Sequence, residues 1–360
     1  MMQVIDENIV RKLVNLILSE KDSKEDIDVM EEMTYDEMLN MQIAPEGELL
    51  KWNYTLDESN NSVTIKNYID TNVIDTFHIY DKYTIDGKEY YTTFLPLSAM
   101  EPDTNSPIID DENVRANVVD IIIHNNVNNK YTNLNGFFWG MNKLKSIDFG
   151  TGPKLTITEM NYTFRKCSSI DASLVKNMPD TSNVTTFDYC FTDSSFDPKL
   201  ISNFSFESCT SMLYSFANSL LSIIDLSRFK FLNKVSMQYT FCITNNSTVL
   251  KDIKLPIIKS SSMKNTFTKV QFNEYPDTIS NIDVSSCINY MQTFNGTNLE
   301  IVDLSNWQFP ESKNVTTVAT QMFANMPNLK EVRVNQTWKN ITNKSYTFKN
   351  SPITDVTYVD

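Results

Sequence analysis

A phenylalanine returns about every 26 residues through the last two thirds of this 360-residue chain. The series is Phe138, Phe164, Phe191, Phe216, Phe241, Phe267, Phe294, Phe323 and Phe348, with gaps of 26, 27, 25, 25, 26, 27, 29 and 25 residues. A fixed period of roughly 20–50 residues with an apolar anchor marks a stacked repeat architecture. Each repeat must then close its own core and leave a surface on which the next one fits.

Two short phrases fill the period. Most of the phenylalanines end a Tyr-Thr-Phe-like phrase, as in Tyr162-Thr163-Phe164, Tyr214-Ser215-Phe216, Tyr239-Thr240-Phe241 and Tyr346-Thr347-Phe348. Downstream comes an apolar–polar–apolar phrase. It reads Ile147-Asp148-Phe149, Ile170-Asp171-Ala172, Ile224-Asp225-Leu226, Ile253-Lys254-Leu255, Ile282-Asp283-Val284, Val302-Asp303-Leu304, Val332-Arg333-Val334 and Val356-Thr357-Tyr358. Such alternation predicts a strand with apolar side chains inward. One strand per period, stacked in register, predicts a solenoid with a parallel sheet along one face and the phenylalanines in the core. The third repeat has no clean strand phrase, with Phe204-Ser205-Phe206 as a substitute, and the sixth carries an insertion around 271–278.

A single repeat cannot fold. Its roughly five large apolar side chains contribute about 1.5–3 kcal/mol each when buried, against about 1–2 kcal/mol of backbone entropy for every ordered residue. Stacked repeats share faces, so the array folds where the unit does not.

These phrases resemble the BspA-like leucine-rich-repeat proteins. The similarity is carried by Asn298-Leu299-Glu300-Ile301-Val302-Asp303-Leu304-Ser305-Asn306-Trp307, then Asn314-Val315-Thr316, then Met322-Phe323-Ala324-Asn325-Met326-Pro327-Asn328-Leu329. Phe164-Arg165-Lys166-Cys167-Ser168-Ser169-Ile170, Ile224-Asp225-Leu226-Ser227 and Asn183-Val184-Thr185 extend it over residues 118–360. The resemblance implies a non-enzymatic binding or adhesion protein that attaches to host surfaces, with no catalytic residues and no cofactor.

The first third differs in kind. Residues 1–48 hold 13 acidic and four basic residues, which is nine of the chain's net −14 charges. Ile9, Val10, Leu13, Val14 and Ile17 follow Asp6 at helical spacing, and a second helix is expected from Ile27 to Met41 with Met30 and Met33 on its apolar side. These helices either cap the fold or dock it to a larger assembly through an adaptable Met-rich surface. Residues 49–100 read as a small β region, with strands at 49–56, 62–68, 76–85 and 89–95 and a hairpin turn at Asp86-Gly87. Residues 101–117 read as an acidic, proline-containing linker, and 118–360 as about nine repeats that begin with a strand at 118–123. The expected fold class is therefore α+β, a leucine-rich-repeat solenoid preceded by a small helical and β N-terminal region.

Charge and composition exclude several functions. A pI near 4.7 with no basic stripe argues against nucleic acid. The sequence holds no 18-residue apolar run for a membrane span and no signal-peptide pattern near residue 9. Cys167, Cys190, Cys209, Cys242 and Cys287 lie at least 19 residues apart, which fits buried free thiols rather than a zinc site. Only seven glycines are present, so Asn is expected at left-handed turn positions. His78 and His124 stand in no metal or catalytic spacing.

The outward strand positions Asp148, Asp171, Asp225, Lys254, Asp283, Asp303 and Arg333 form the candidate recognition face. Either they are a solvated ladder bonded to turn amides and hydroxyls, or they contact a protein or glycan ligand. The acidic N-terminus followed by a recognition array, without an export signal, fits a bacteriophage virion protein contacting a host. A cellular surface antigen or an intracellular scaffold is the alternative.

Overall fold

The structure is a computed structural model and describes residues 43–45, 47–94, 108–109, 111–124, 134–150, 156–245, 249–274, 276–311 and 316–359. Residues 44–360 form one compact unit. The proposed helices and docking residues Ile9, Val10, Leu13, Val14, Ile17, Met30 and Met33 lie outside the described residues.

Five strands open the larger unit: β1 (Trp52–Asp57), β2 (Ser62–Tyr68), β3 (Thr76–Ile79), β4 (Lys82–Ile85) and β5 (Lys88–Phe94). Asp86 and Gly87 both have positive φ (50° and 74°), the turn that a two-residue hairpin requires. It joins β4 to β5 in a sheet of order β1-β2-β5-β4. The strand expected over 76–85 is two strands in different sheets. β3 leaves the hairpin sheet and pairs in parallel with β6 (Asp120–Ile123), Phe77 opposite Ile121 and Ile79 opposite Ile123.

The expected linker is also structured where it is described. Ile108 and Ile109 are buried, and Ile109 bridges to Tyr68. A short helix, α1 (Glu112–Asn117), follows, its N-terminus capped by Asp111 accepting from the Val114 amide (2.9 Å), with Val114 fully buried. The β region and the repeats thus share strands and core, because β3 supplies the first rung of the repeat sheet.

Across the described residues the protein is mostly β with few helices, and the N-terminal helices of the expected α+β class lie outside those residues. The repeat strands are short. They are β7 (Ser146–Asp148), β8 (Val175–Lys176), β9 (Ile223–Asp225), β10 (Lys234–Ser236), β11 (Leu250–Lys254), β12 (Ile258–Ser262), β13 (Gln271–Phe272), β14 (Ile282–Asp283), β15 (Ile301–Leu304), β16 (Glu331–Val334) and β17 (Thr357–Tyr358). They pair in parallel in separate sheets: β3-β6-β7-β8, β13-β11-β9, β10-β12-β14 and β15-β16-β17. One uninterrupted sheet does not form. Two of the expected strand phrases fail. Asp171 caps a 3₁₀ turn over Ala172–Leu174, and the strand falls later, at β8. Phe204 and Phe206 are buried but extend no sheet; a 3₁₀ helix, Pro198–Asn203, precedes them.

The continuous element is the turn around each phenylalanine. In most repeats the residues two before and two after the ring both take positive φ, as in Tyr162/Lys166, Tyr189/Asp193, Tyr214/Asn218, Asn265/Lys269 and Gln321/Asn325; at Phe241 only Tyr239 does. Alternate amides then point to the next repeat. The Phe164 amide donates to Cys190 O (2.9 Å), Phe191 to Ser215 O (2.8 Å), Phe216 to Thr240 O (2.8 Å) and Phe241 to Thr266 O (3.0 Å), on through Phe323 to Thr347 O (2.9 Å). The intervening amides close their own turn, Cys190 to Phe187 O and Thr192 to Tyr189 O.

Each letter of the Tyr-Thr-Phe phrase has its own task. Phe138 through Phe348 stack face to face at centroid distances of 5.0–5.9 Å. Phe164, Phe191, Phe216, Phe241, Phe267, Phe294 and Phe323 are buried, and the terminal Phe348 is half-buried. The hydroxyl before the ring reaches back one repeat: Thr163 donates to Leu134 O (3.0 Å), Thr240 to Met212 O (2.9 Å) and Thr293 to Met263 O (2.9 Å). Gly140 takes the same left-handed position after Phe138, with φ of 79° and the Arg115 side chain packed close against it.

Candidate recognition surfaces

The outward strand positions do not form one acidic column. Register places Asp225 opposite Lys254, Asp303 opposite Arg333, Asp148 opposite Lys176 and Asp283 opposite Lys259. Two of these pairs are loose ion contacts, Asp283–Lys259 at 3.9 Å and Asp303–Arg333 at 3.7 Å. Asp171 stands apart at its 3₁₀ turn. Adjacent strands lie about 4.8 Å apart, where like charges repel and opposite charges attract. The chain has therefore alternated sign along the rungs, and Lys176 and Lys259 were missed because the strands of those repeats fall outside the recognised phrase.

The same carboxylates close turns. Asp171, Asp225 and Asp303 each accept the amide two residues on (2.9, 2.9 and 3.0 Å) and the hydroxyl of that serine (2.7, 2.6 and 2.6 Å). Asp148 and Asp283 accept the Gly150 and Ser285 amides at 2.9 Å. At Asp225 and Asp303 partial burial works against ionisation. The serine bonds and the neighbouring Lys254 or Arg333 outweigh it, so both carboxyls titrate below the usual range.

A second surface escaped sequence reasoning. Two residues before the core phenylalanines, Tyr162, Tyr189, Tyr214 and Tyr239 stack at 4.7, 4.8 and 4.4 Å with near-parallel rings, and Trp139 leads the row. Arg165 lies 5.2–5.9 Å from Trp139, Tyr162 and Tyr189. The row then changes to amides, Asn265 Nδ2 donating to Gln292 Oε1 and Gln292 Nε2 to Gln321 Oε1, both at 2.8 Å. These are the left-handed positions. Asn takes several, as at Asn218 and Asn325, yet tyrosine takes Tyr162, Tyr189, Tyr214, Tyr239 and Tyr346. A left-handed L-residue costs about 1–2 kcal/mol; ring stacking of about 0.5–1.5 kcal/mol per pair and the inter-repeat amide bond offset it. Because the ring faces are covered by one another, the ladder shows ligands its edges and hydroxyls.

The third surface is a groove of about 550 Å³ where the repeat rhythm breaks. Thr156, Val175, Met178, Asp180, Phe204 and Ser205 are among the residues that line it. It lies beside the end of the 3₁₀ helix Pro198–Asn203, after which no strand pairs with β8.

The two histidines, 46 residues apart, meet through the β3–β6 pairing. His78 Nδ1 lies 3.2 Å from His124 Nε2. The ring centroids are 5.5 Å apart and nearly coplanar, so the nitrogens point straight at each other. That is hydrogen-bond geometry. Two in-line imidazole nitrogens need about 4 Å to hold a metal at about 2.0–2.1 Å from each. Burial, then the neighbouring His78, pushes His124 down to about 4, and burial also lowers His78, so both rings are neutral near pH 7. Among the described residues no group of three or more His, Cys, Asp or Glu is arranged to hold a metal. Lys251 is 2% exposed and donates to the carbonyls of Ser219 and Leu221, both at 2.5 Å. The five cysteines are buried free thiols.

A family model described as a Mycoplasma protein of unknown function, DUF285, matches residues 132–255, the stretch that holds the first five core phenylalanines. Among solved structures, a leucine rich cell surface protein from Faecalibacterium prausnitzii A2-165 is similar at 13% identity and a TM-score of 0.33, covering 83% of this chain and 71% of that one. A leucine-rich repeat protein from Bacteroides ovatus ATCC 8483 is similar at 11% identity and a TM-score of 0.26, covering 86% and 98%. No curated protein matches. No helix among the described residues is long and apolar enough to cross a membrane.

Proposed function

We propose that this chain is a non-enzymatic binding protein, a leucine-rich-repeat solenoid that holds a recognition surface on a rigid array. The observation that carries the reading is the inter-repeat ladder of phenylalanines and turn amides, which runs on while the strands beside it break into separate sheets, the groove opening at one of these breaks. A scaffold bonded repeat to repeat fixes surface groups in space, and irregular repeats are where solenoids place ligand contacts. The strand face, with Asp148, Asp225, Asp283 and Asp303 each set against a lysine or arginine, supplies its own counter-charges and so projects little net field. The groove is the stronger candidate.

The ligand is a protein or surface glycan. Residues 1–48, acidic and distinct in composition, are assigned to docking on a larger assembly. The test is binding of the labelled full-length chain to arrays of surface proteins and glycans. Saturable binding that disappears when the chain is melted is expected. Absence of saturable binding to every member of both arrays would overturn the reading.

A further inference from the structure

Resting on that reading, we infer that the groove beside β8 accepts an extended peptide segment, which adds a strand to the open edge of the β3-β6-β7-β8 sheet. β8 is the last strand of this sheet. The repeat rhythm calls for a further strand about 4.8 Å beyond it. The chain instead runs Pro198–Asn203 as a 3₁₀ helix, begun by Pro198 and by Asp197 accepting from the Lys199 amide (2.9 Å). The next strand along the chain is β9, in a different sheet. One rung of the ladder is left out, and the groove lies there.

The direction of the backbone groups on β8 follows from its pairing. In a strand the amide and carbonyl of one residue point to the same side, and those of its neighbours to the other. The Lys176 carbonyl accepts the Phe149 amide at 3.2 Å, so Lys176 faces β7. Val175 therefore turns its amide and carbonyl away from β7, and Val175 lines the groove. A donor and an acceptor held at strand geometry on an open edge are complemented best by another main chain in the β conformation. Buried Phe204 and half-buried Met178 give the floor its apolar character, suited to every second side chain of an added strand. Thr156, Asp180 and Ser205 add polar groups to the lining. The volume of about 550 Å³ is within the usual range for a bound ligand of that size.

The full-length chain is screened against an array of short random peptides, and the best binder is resynthesised with backbone N-methyl groups on alternate residues, in the two possible phases. An added strand pairs with β8 through one edge only. Methylation in one phase is expected to weaken binding by about tenfold or more, through lost main-chain hydrogen bonds, and in the other phase to leave it nearly unchanged. Thr156→Trp and, separately, Ser205→Trp each place an indole in the lining of the groove and are expected to weaken the same peptide by a similar factor, with the melting midpoint confirming the fold. The inference is overturned if no peptide binds, if both methylation phases act equally, or if both groove variants bind as wild type. Should peptides fail while the surface arrays still show saturable binding, strand addition is wrong and the binding-protein reading stands.

Discussion

Phe241→Ala tests whether the phenylalanine column carries the fold. Phe241 is 2% exposed and lies between Phe216 at 5.7 Å and Phe267 at 5.6 Å, both rings nearly parallel to it. Truncation removes the buried ring and leaves a cavity whose two walls are also rings, held in place by amide bonds above and below, so little collapse can fill it. Core Phe→Ala changes cost about 3–5 kcal/mol, and the two stacking contacts place this site at the upper end of that range. Phe348→Ala is the internal control. Its ring is half-buried and stacks on one neighbour only, Phe323 at 5.5 Å, so about 1–2 kcal/mol of burial is at stake. Guanidinium unfolding followed by circular dichroism measures both. The central variant is expected to lower the midpoint more, and weakening one internal interface of a linear array is expected to broaden the transition or split it in two. Equal losses for the two variants, or a loss below about 1 kcal/mol at Phe241, would refute the argument that stacking through the middle of the column holds the repeats together.

Lys251 is expected to give the array an unusual alkaline response. Burial lowers its pKa from the ordinary 10.5 to about 8, so between those values the unfolded chain binds more protons than the folded one, and this residue adds stability as pH rises. The stability of wild type relative to Lys251→Met should therefore grow by about 2–4 kcal/mol from pH 7 to pH 10.5, read from urea melts; a flat difference would count against a buried ammonium. The thiols work in the opposite sense. Burial pushes Cys209 and Cys242 up to about 12 and Cys287 up to about 11, and raises Cys167 and Cys190 as well. Their contribution is complete below the unfolded-state value and is lost as pH rises through the folded one, equally in both proteins, so it cancels in the comparison. The same burial makes the thiols unreactive toward a disulfide reagent at pH 8 until the chain is unfolded, and rapid labelling of the native protein would contradict it.

The sequence disclosed the period, the buried ring and the alternating strand phrases, because each is a local pattern repeated nine times over. Its errors came where tertiary context chose between local alternatives. Ile170-Asp171-Ala172 has strand alternation, but an Asp with a serine two residues on also makes a turn, and the turn prevailed. Residues 76–85 read as one strand because nothing local marks the point where the chain passes from a hairpin to the repeat sheet. Linker composition over 101–117 hid Ile108, Ile109 and Val114, whose burial depends on Tyr68 and on neighbours far away in sequence. The tyrosine ladder did leave a signal, an aromatic two residues before several core phenylalanines. Its meaning required knowing that this position is left-handed and that the same atoms recur one repeat further on.

The charged face shows how register, more than composition, decides what a surface offers. Read along the sequence, Asp148, Asp171, Asp225, Asp283 and Asp303 look like a stack of negative charge. Read across the strands, four of them face a lysine or arginine, and each carboxylate is already bonded to its own turn amide. A ligand docking on that face would have to displace solvent from groups that are satisfied and nearly neutral in sum, which gives little return. At β8 the situation is reversed. There the array omits a strand, and Val175 presents an amide and a carbonyl to a groove with a hydrophobic floor. In a structure where almost every turn amide is answered by the next repeat, the place where the answer is missing offers a ligand the most.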